Sequence, residues 1–306
     1  MIILDVINKL KGFYCGYVGM GKNCHHIDEY LTRDRILFGN ANQECTGIVT
    51  TCWASVSVIK EAINKGANLI ICHESLFWNH GDHVERWESE SNETFRSKKK
   101  LLSENEIVVW RNHDYIHSGV PISENAYIDG IFYGLSEKLG WTEYIDLEMS
   151  EMLDKGRGWN ELAATDRYNP ISFTIPEITA LELSRFLVKK LNLNGIRLLG
   201  NQNRMVKSVS ICFHISGDAD FEILYADKGK VDCYLGMEIV DFTLAEYIHD
   251  ANEIGDGAVL ICMGHFNIEE PGMEYMTEYI SHAIGEIIPC YFVQSGDHYK
   301  YIVKEN

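Results

Sequence analysis

Three short, uninterrupted apolar runs constrain this chain most: NLIIC at 68–72, IVVW at 107–110 and VLICM at 259–263. An amphipathic surface strand alternates polar and apolar residues. A run with no polar face has to be covered on both sides, and the common solution is a parallel sheet with helices packed on it. The segments between the runs agree. GIVTTC at 47–52 is strand-like, and SVSVIKEAINKGA after it places Val56, Ile59, Ala62 and Ile63 at helical spacing before Gly66.

The same grammar recurs near the C-terminus. VDCYLG reads as a strand, the next segment carries Leu244, Tyr247, Ile248 and Ala251 on one helical face, and VLICM comes after it. Pro271 is read as opening a helix through Tyr275, Met276, Tyr279, Ile280, Ala283 and Ile284, with PCYFVQ as a further strand. In mid-chain, Pro176 is read as introducing a helix with Leu183, Phe186, Leu187 and Leu191 on one side. The phrases GANLIICH at 66–73 and GAVLICMGH at 257–265 repeat locally.

The expected fold is therefore α/β: two similar lobes, each a mixed sheet flanked by helices, with ligands bound between lobes at the carboxyl ends of strands. The expected boundaries are a first lobe over 1–147, a connection over 148–168 containing DKGRG, and a second lobe over 169–306. The stretch from His80 to Lys100 is read as a loop and a solvated helix with solvent-facing lysines.

Charge and composition remove several function classes. With 27 Lys+Arg against 45 Asp+Glu the net charge is −18. This argues against a nucleic-acid binder or a protein drawn to anionic membranes. No apolar run reaches the ~20 residues of a spanning helix, and lysines interrupt the N-terminal apolar stretch, so a cytoplasmic protein is expected. The nine cysteines contain no C-x-x-C pair and are expected to be reduced and structural. No G-x-S-x-G elbow, P-loop or G-x-G-x-x-G is present.

Chemistry is concentrated just after the three apolar runs. NLIIC ends in His73-Glu74, IVVW leads through Arg111-Asn112 to His113-Asp114, and VLICM leads to His265 with Glu269 four residues on. Mixed nitrogen and oxygen donors exceed the needs of one tetrahedral ion and suit a two-metal site. Each residue alone also has a structural reading: a hydrogen-bonded histidine, a turn at Asp114, or a helix cap at Glu269. Only their joint placement points to metal.

The chain resembles the Nif-three-like dinuclear-metal proteins, also known as GTP cyclohydrolase I type 2 homologues. The resemblance lies in EAINKGANLIICHESLFW, VVWRNHDYIHSG, LGMEIVDFTLAEYIHDANEIG and AVLICMGHFNIEEPG, and runs from about Arg33 onward. It implies that His73, Asp114, His265 and Glu269 bind two divalent ions (Zn, Fe or Mn) with a carboxylate bridging. It further implies a hexamer built as a trimer of dimers and a small-molecule substrate.

Two departures stand out. Glu74 occupies the place of the family's usual second histidine, and the Tyr-His that comes after the family's Thr-Gly-Asp/Glu is replaced after Glu238 by Ile239, Val240 and Asp241. If Glu74 ligates, three carboxylates set −3 against +4, and a hard oxygen in place of an imidazole nitrogen favours harder ions at that position. The alternative is a Glu74 paired with a neighbouring cation. The expected activity is metal-dependent hydrolysis of a nucleotide or phosphoester, using water acidified to hydroxide near neutral pH. His113 would shuttle protons, with Trp78 and Glu238 in the substrate pocket. The competing reading is a non-catalytic oligomeric metal scaffold or metallochaperone.

Overall fold

The computed structural model describes residues 1–18, 24–156 and 166–304. The chain forms two compact units, each discontinuous in sequence: 1–134 with 162–167 and 272–295, and 135–161 with 168–271 and 296–306.

The sheet of the first unit uses β1 (Ile36–Phe38), β2 (Ile48–Thr51), β3 (Leu69–Cys72), β4 (Val108–Arg111) and the C-terminal strand Cys290–Phe292. Their order is C-terminal strand, β2, β3, β4, β1. The first three pairings are parallel and β1 is antiparallel at the edge. Every residue of β2, β3 and β4 is buried, as their unbroken apolar runs require. Helices α1 (Val56–Asn64) and α2 (Glu93–Glu104) cover the sheet, with Val58, Ile59, Ala62, Phe95 and Leu102 packed against Val49, Ile70 and Val109.

The sheet of the second unit uses β5 (Ser172–Thr179), β6 (Arg197–Leu199), β7 (Met205–Cys212), β8 (Cys233–Gly236) and β9 (Val259–Cys262). The order β5-β7-β8-β9-β6 sets three successive parallel strands, β7 to β9, between two antiparallel edge strands. The expected pair of mixed α/β lobes is thus present.

Several local expectations are corrected. Pro176 lies inside β5, not at a helix start. β5 is an edge strand with a register shift between Thr174 and Ile178, where a missing backbone donor is tolerated. The helix after it (α3, Ala180–Lys190) starts one turn later, on a reciprocal cap between Thr179 and Glu182. Pro271 sits within the helix His265–Ile284 (α4), which opens at His265.

Val56, at the first position of α1, is 41% exposed, and the buried face is centred on Val58, Ile59 and Ala62. Ser55 sets that start by accepting the Val58 N–H on its hydroxyl. The expected connection begins inside a helix, Leu147–Gly156, and 157–165 lie outside the described residues. Lys98 is buried rather than solvated: its ammonium donates to the Leu76 carbonyl at 2.6 Å and lies under the rings of Trp53, Phe77 and Trp78. The nine cysteines form no disulfide with one another. Among the described residues no helix is long and apolar enough to cross a membrane.

Candidate metal centre

Parallel strands in register deliver their carboxyl ends to one place, and both units use this. In the first unit Cys72 is level with Arg111, so the next residues, His73 and Asn112-His113, emerge side by side. In the second, Cys212, Gly236 and Cys262 are level, and His214, Glu238 and His265 come two or three residues later.

In the first unit, one ring nitrogen from each of His73, His113 and His117 lies within 4.8 Å of the others. Each ring is held from behind through Nδ1. His73 donates to the Asn112 carbonyl (3.1 Å), His113 to Asp114 Oδ1 (2.9 Å) and His117 to Asp129 Oδ2 (2.8 Å). A carbonyl or ionised carboxylate only accepts, so all three Nδ1 atoms carry the proton and each lone pair sits on Nε2. Imidazoles fixed in this way by an outer carboxylate or carbonyl are the usual arrangement of histidine ligands.

Asp114 is placed behind His113: its Oδ2 also accepts from Thr32 Oγ1 (2.8 Å) and the Arg33 N–H (3.0 Å). Burial raises the carboxyl's pKa, but the bonds from His113, Arg33 and Thr32 outweigh it and hold the group well below the usual range. Asp34 anchors the same turn, accepting the N–H groups of His113, Asp114 and Tyr115 at 2.7–2.8 Å. Burial pushes its pKa up to about 6 against those bonds.

Glu74 faces Arg111. The guanidinium, fully buried, donates Nη2 to Glu74 Oε2 (3.0 Å), Nη1 to Asp82 Oδ2 (3.1 Å) and the His80 carbonyl (2.9 Å), and Nε to the His73 carbonyl (3.0 Å). A cation therefore already balances the departure from the family's His-His pair. Trp78 lies nearby in sequence at φ 61° and is 42% exposed, with its ring edge-on to Trp87.

In the second unit, Glu238 joins two histidines, accepting from His214 Nδ1 (2.7 Å) and His265 Nδ1 (2.5 Å). Partial burial raises its pKa, yet the two imidazoles outweigh that and bring it down to about 2. With Nδ1 committed to Glu238, His265 turns Nε2 toward Glu269 Oε2 at 2.9 Å. The pair sits one turn apart on α4, so the four-residue spacing puts both on one helix face. Glu238, expected in a substrate pocket, is thus the group that orients His265.

The donor chemistry fits divalent cations in both units: neutral imidazole nitrogens in the first, imidazole and carboxylate in the second. His117, His214, Asp34 and Asp129 were missed at the level of sequence. Only His117 left a signal there, as the second member of a His-x-x-x-His pair with His113.

Residues 35–296 match the Duf34/NIF3 (NGG1p interacting factor 3) family. Two proteins named GTP cyclohydrolase 1 type 2 homolog are similar along the sequence. The one from Clostridium acetobutylicum is 24% identical over 272 residues, covering 87% of this chain and 89% of the relative. The one from Clostridium perfringens is 23% identical over 245 residues, covering 79% and 80%. Among solved structures, a hypothetical protein of Staphylococcus aureus superposes with a TM-score of 0.66 at 18% identity, covering 99% of both chains. A Bacillus cereus protein related to NIF3 gives 0.65 at 13%, also over 99% of both. At these identities the structures establish the fold, and the family match spans most of the chain: this protein belongs to the Duf34/NIF3 family.

Proposed function

We propose that this protein is a metal-dependent hydrolase that holds two divalent ions per chain (Zn, Fe or Mn) and acts on a nucleotide or phosphoester. The observation that carries the reading is the orientation of the histidines: carboxylates or a carbonyl hold Nδ1 of His73, His113, His117 and His265, turning Nε2 to the working side.

His265 and Glu269 would take one ion, with Glu238 fixing the His265 ring. His73 would take part in holding the other. A bound divalent ion supplies a Lewis acid and a water acidified toward pH ~7. His113, tied to Asp114 through Nδ1, accepts or releases a proton at Nε2. Trp78 offers a ring face to a planar base. The name carried by the two clostridial relatives supports a nucleotide as the first substrate class to try. The family resemblance further supports a hexamer, a trimer of dimers.

The test is turnover of a panel of nucleotides and phosphoesters by metal-loaded protein against Glu269→Gln. A rate at least 100-fold above the variant is the expected result. Equal rates, or no turnover by a protein that retains metal, would establish the scaffold or metallochaperone reading instead.

A further inference from the structure

In the first unit the family pattern and the observed contacts diverge at two residues. Glu74, at the position of the family's second histidine, is paired with the buried Arg111 at 3.0 Å. That guanidinium is held by three further acceptors, so it cannot swing away from Glu74 without stranding them. Only Oε2 is committed to Arg111, and a Glu74 oxygen lies within 4.8 Å of a His73 ring nitrogen, so the ion pair leaves Glu74 beside the first histidine.

His117 stands one helical turn beyond His113 and presents Nε2 to the same place as His73. The ring geometry distinguishes the three imidazoles. His73 and His113 are stacked, 4.6 Å apart and 12° from parallel, so they cannot both aim an in-plane lone pair at one point. His117 is inclined by 69° to His73 and by 68° to His113, with ring centres 5.0 Å apart in both cases, so it is the ring whose lone pair can converge with that of a neighbour.

We propose that His117 is a metal ligand of this chain, converging with His73 on one divalent cation. The inference rests on the metal-binding part of the proposed function and is independent of hydrolysis. It also assigns Asp129 as the positioning residue for His117. Asp129 Oδ1 accepts the N–H groups of Ile131 and Phe132, while Oδ2 accepts from His117. In Asp129→Asn the amide oxygen keeps the first role and the NH₂ replaces the second oxygen. That NH₂ donates to His117 Nδ1 and moves the ring proton to Nε2, where it blocks ligation.

The experiment loads chelator-stripped full-length protein with Co²⁺ and counts bound ions by elemental analysis, with circular dichroism as the fold control. Wild type sets the reference count. His117→Ala and Asp129→Asn are expected to bind one fewer. Ring ¹⁵N spectra of the stripped protein give a readout that survives an unstable variant: His117 Nε2 is expected unprotonated in wild type and protonated in Asp129→Asn. An unchanged count in His117→Ala, or a protonated Nε2 in neutral wild-type His117, would overturn the proposal. A wild type that binds no cobalt removes it together with the metal reading. One that binds cobalt through His117 but hydrolyses nothing loses only the hydrolase.

Discussion

Glu74 and Arg111 form a buried ion pair, Oε2 to Nη2 at 3.0 Å, with the guanidinium wholly enclosed and the carboxylate nearly so. Such a pair contributes little net stability when intact, because desolvating both charges offsets their attraction. Breaking one side is different. Arg111→Met would leave Glu74 and Asp82 without their cation, and a loss of about 3–5 kcal/mol is expected in urea denaturation. A loss under 1 kcal/mol would show that both carboxylates find other partners.

Glu238 is expected to set metal affinity without being needed for folding. It is about half exposed and anchored only through His214 and His265. Glu238→Gln replaces one acceptor with a donor and frees the His265 ring. A fall in affinity of about 10–100-fold is expected, the usual cost of losing an orienting carboxylate. Competition with a chelating dye measures it; unchanged affinity would remove Glu238 from the site.

Lys98 makes stability depend on alkaline pH. Burial lowers its pKa from 10.5 to about 8. The charged form is penalised in the fold but not in the unfolded chain, so between about pH 8 and 10.5 the unfolded state binds more protons and stability rises with pH. The cost is fully present below pH 8 and vanishes above 10.5. Relative to Lys98→Met, wild type should therefore gain about 2–3 kcal/mol on going from pH 7 to 10. A flat difference across that range would mean that Lys98 keeps its ordinary pKa.

Gly272 is a packing requirement one residue after Pro271. A Cβ there would lie 2.5 Å from Ile131 Cα and 2.9 Å from its carbonyl oxygen. Backbone atoms cannot yield as a side chain does, so Gly272→Ala should cost about 1–3 kcal/mol despite alanine's better helix propensity. Thermal denaturation tests this, and a raised midpoint would refute it.

Assembly is tested by mass. A hexamer of 35.0 kDa chains is expected to scatter light as six times that mass, about 210 kDa, since closed symmetric rings are the usual outcome of self-association. A monomer mass at micromolar concentration would remove the hexamer.

The sequence by itself determined the sheets and where chemistry begins. NLIIC, IVVW and VLICM have no polar face, so they had to become covered parallel strands. Residues just beyond the carboxyl ends of such strands had to gather at one edge of their own sheet, which made His73 and His113 legible in one unit and His265 in the other. The one-turn relation of His265 and Glu269 was not readable, because the sequence pattern puts the helix start at Pro271 and the helix opens at His265.

Tertiary structure decided which partner each group takes. Whether Glu74 faces a metal or a guanidinium depends on Arg111, which is 37 residues away in sequence but lies on the adjacent strand. That Asp114 backs His113, that Glu238 joins His214 to His265, and that Asp129 fixes His117 are consequences of strand register and loop closure, neither of which leaves a periodic signal. Pro176 and Pro271 were misread because proline marks where a backbone donor can be spared, and only the finished fold shows whether that place is a helix start, an edge strand or a helix interior.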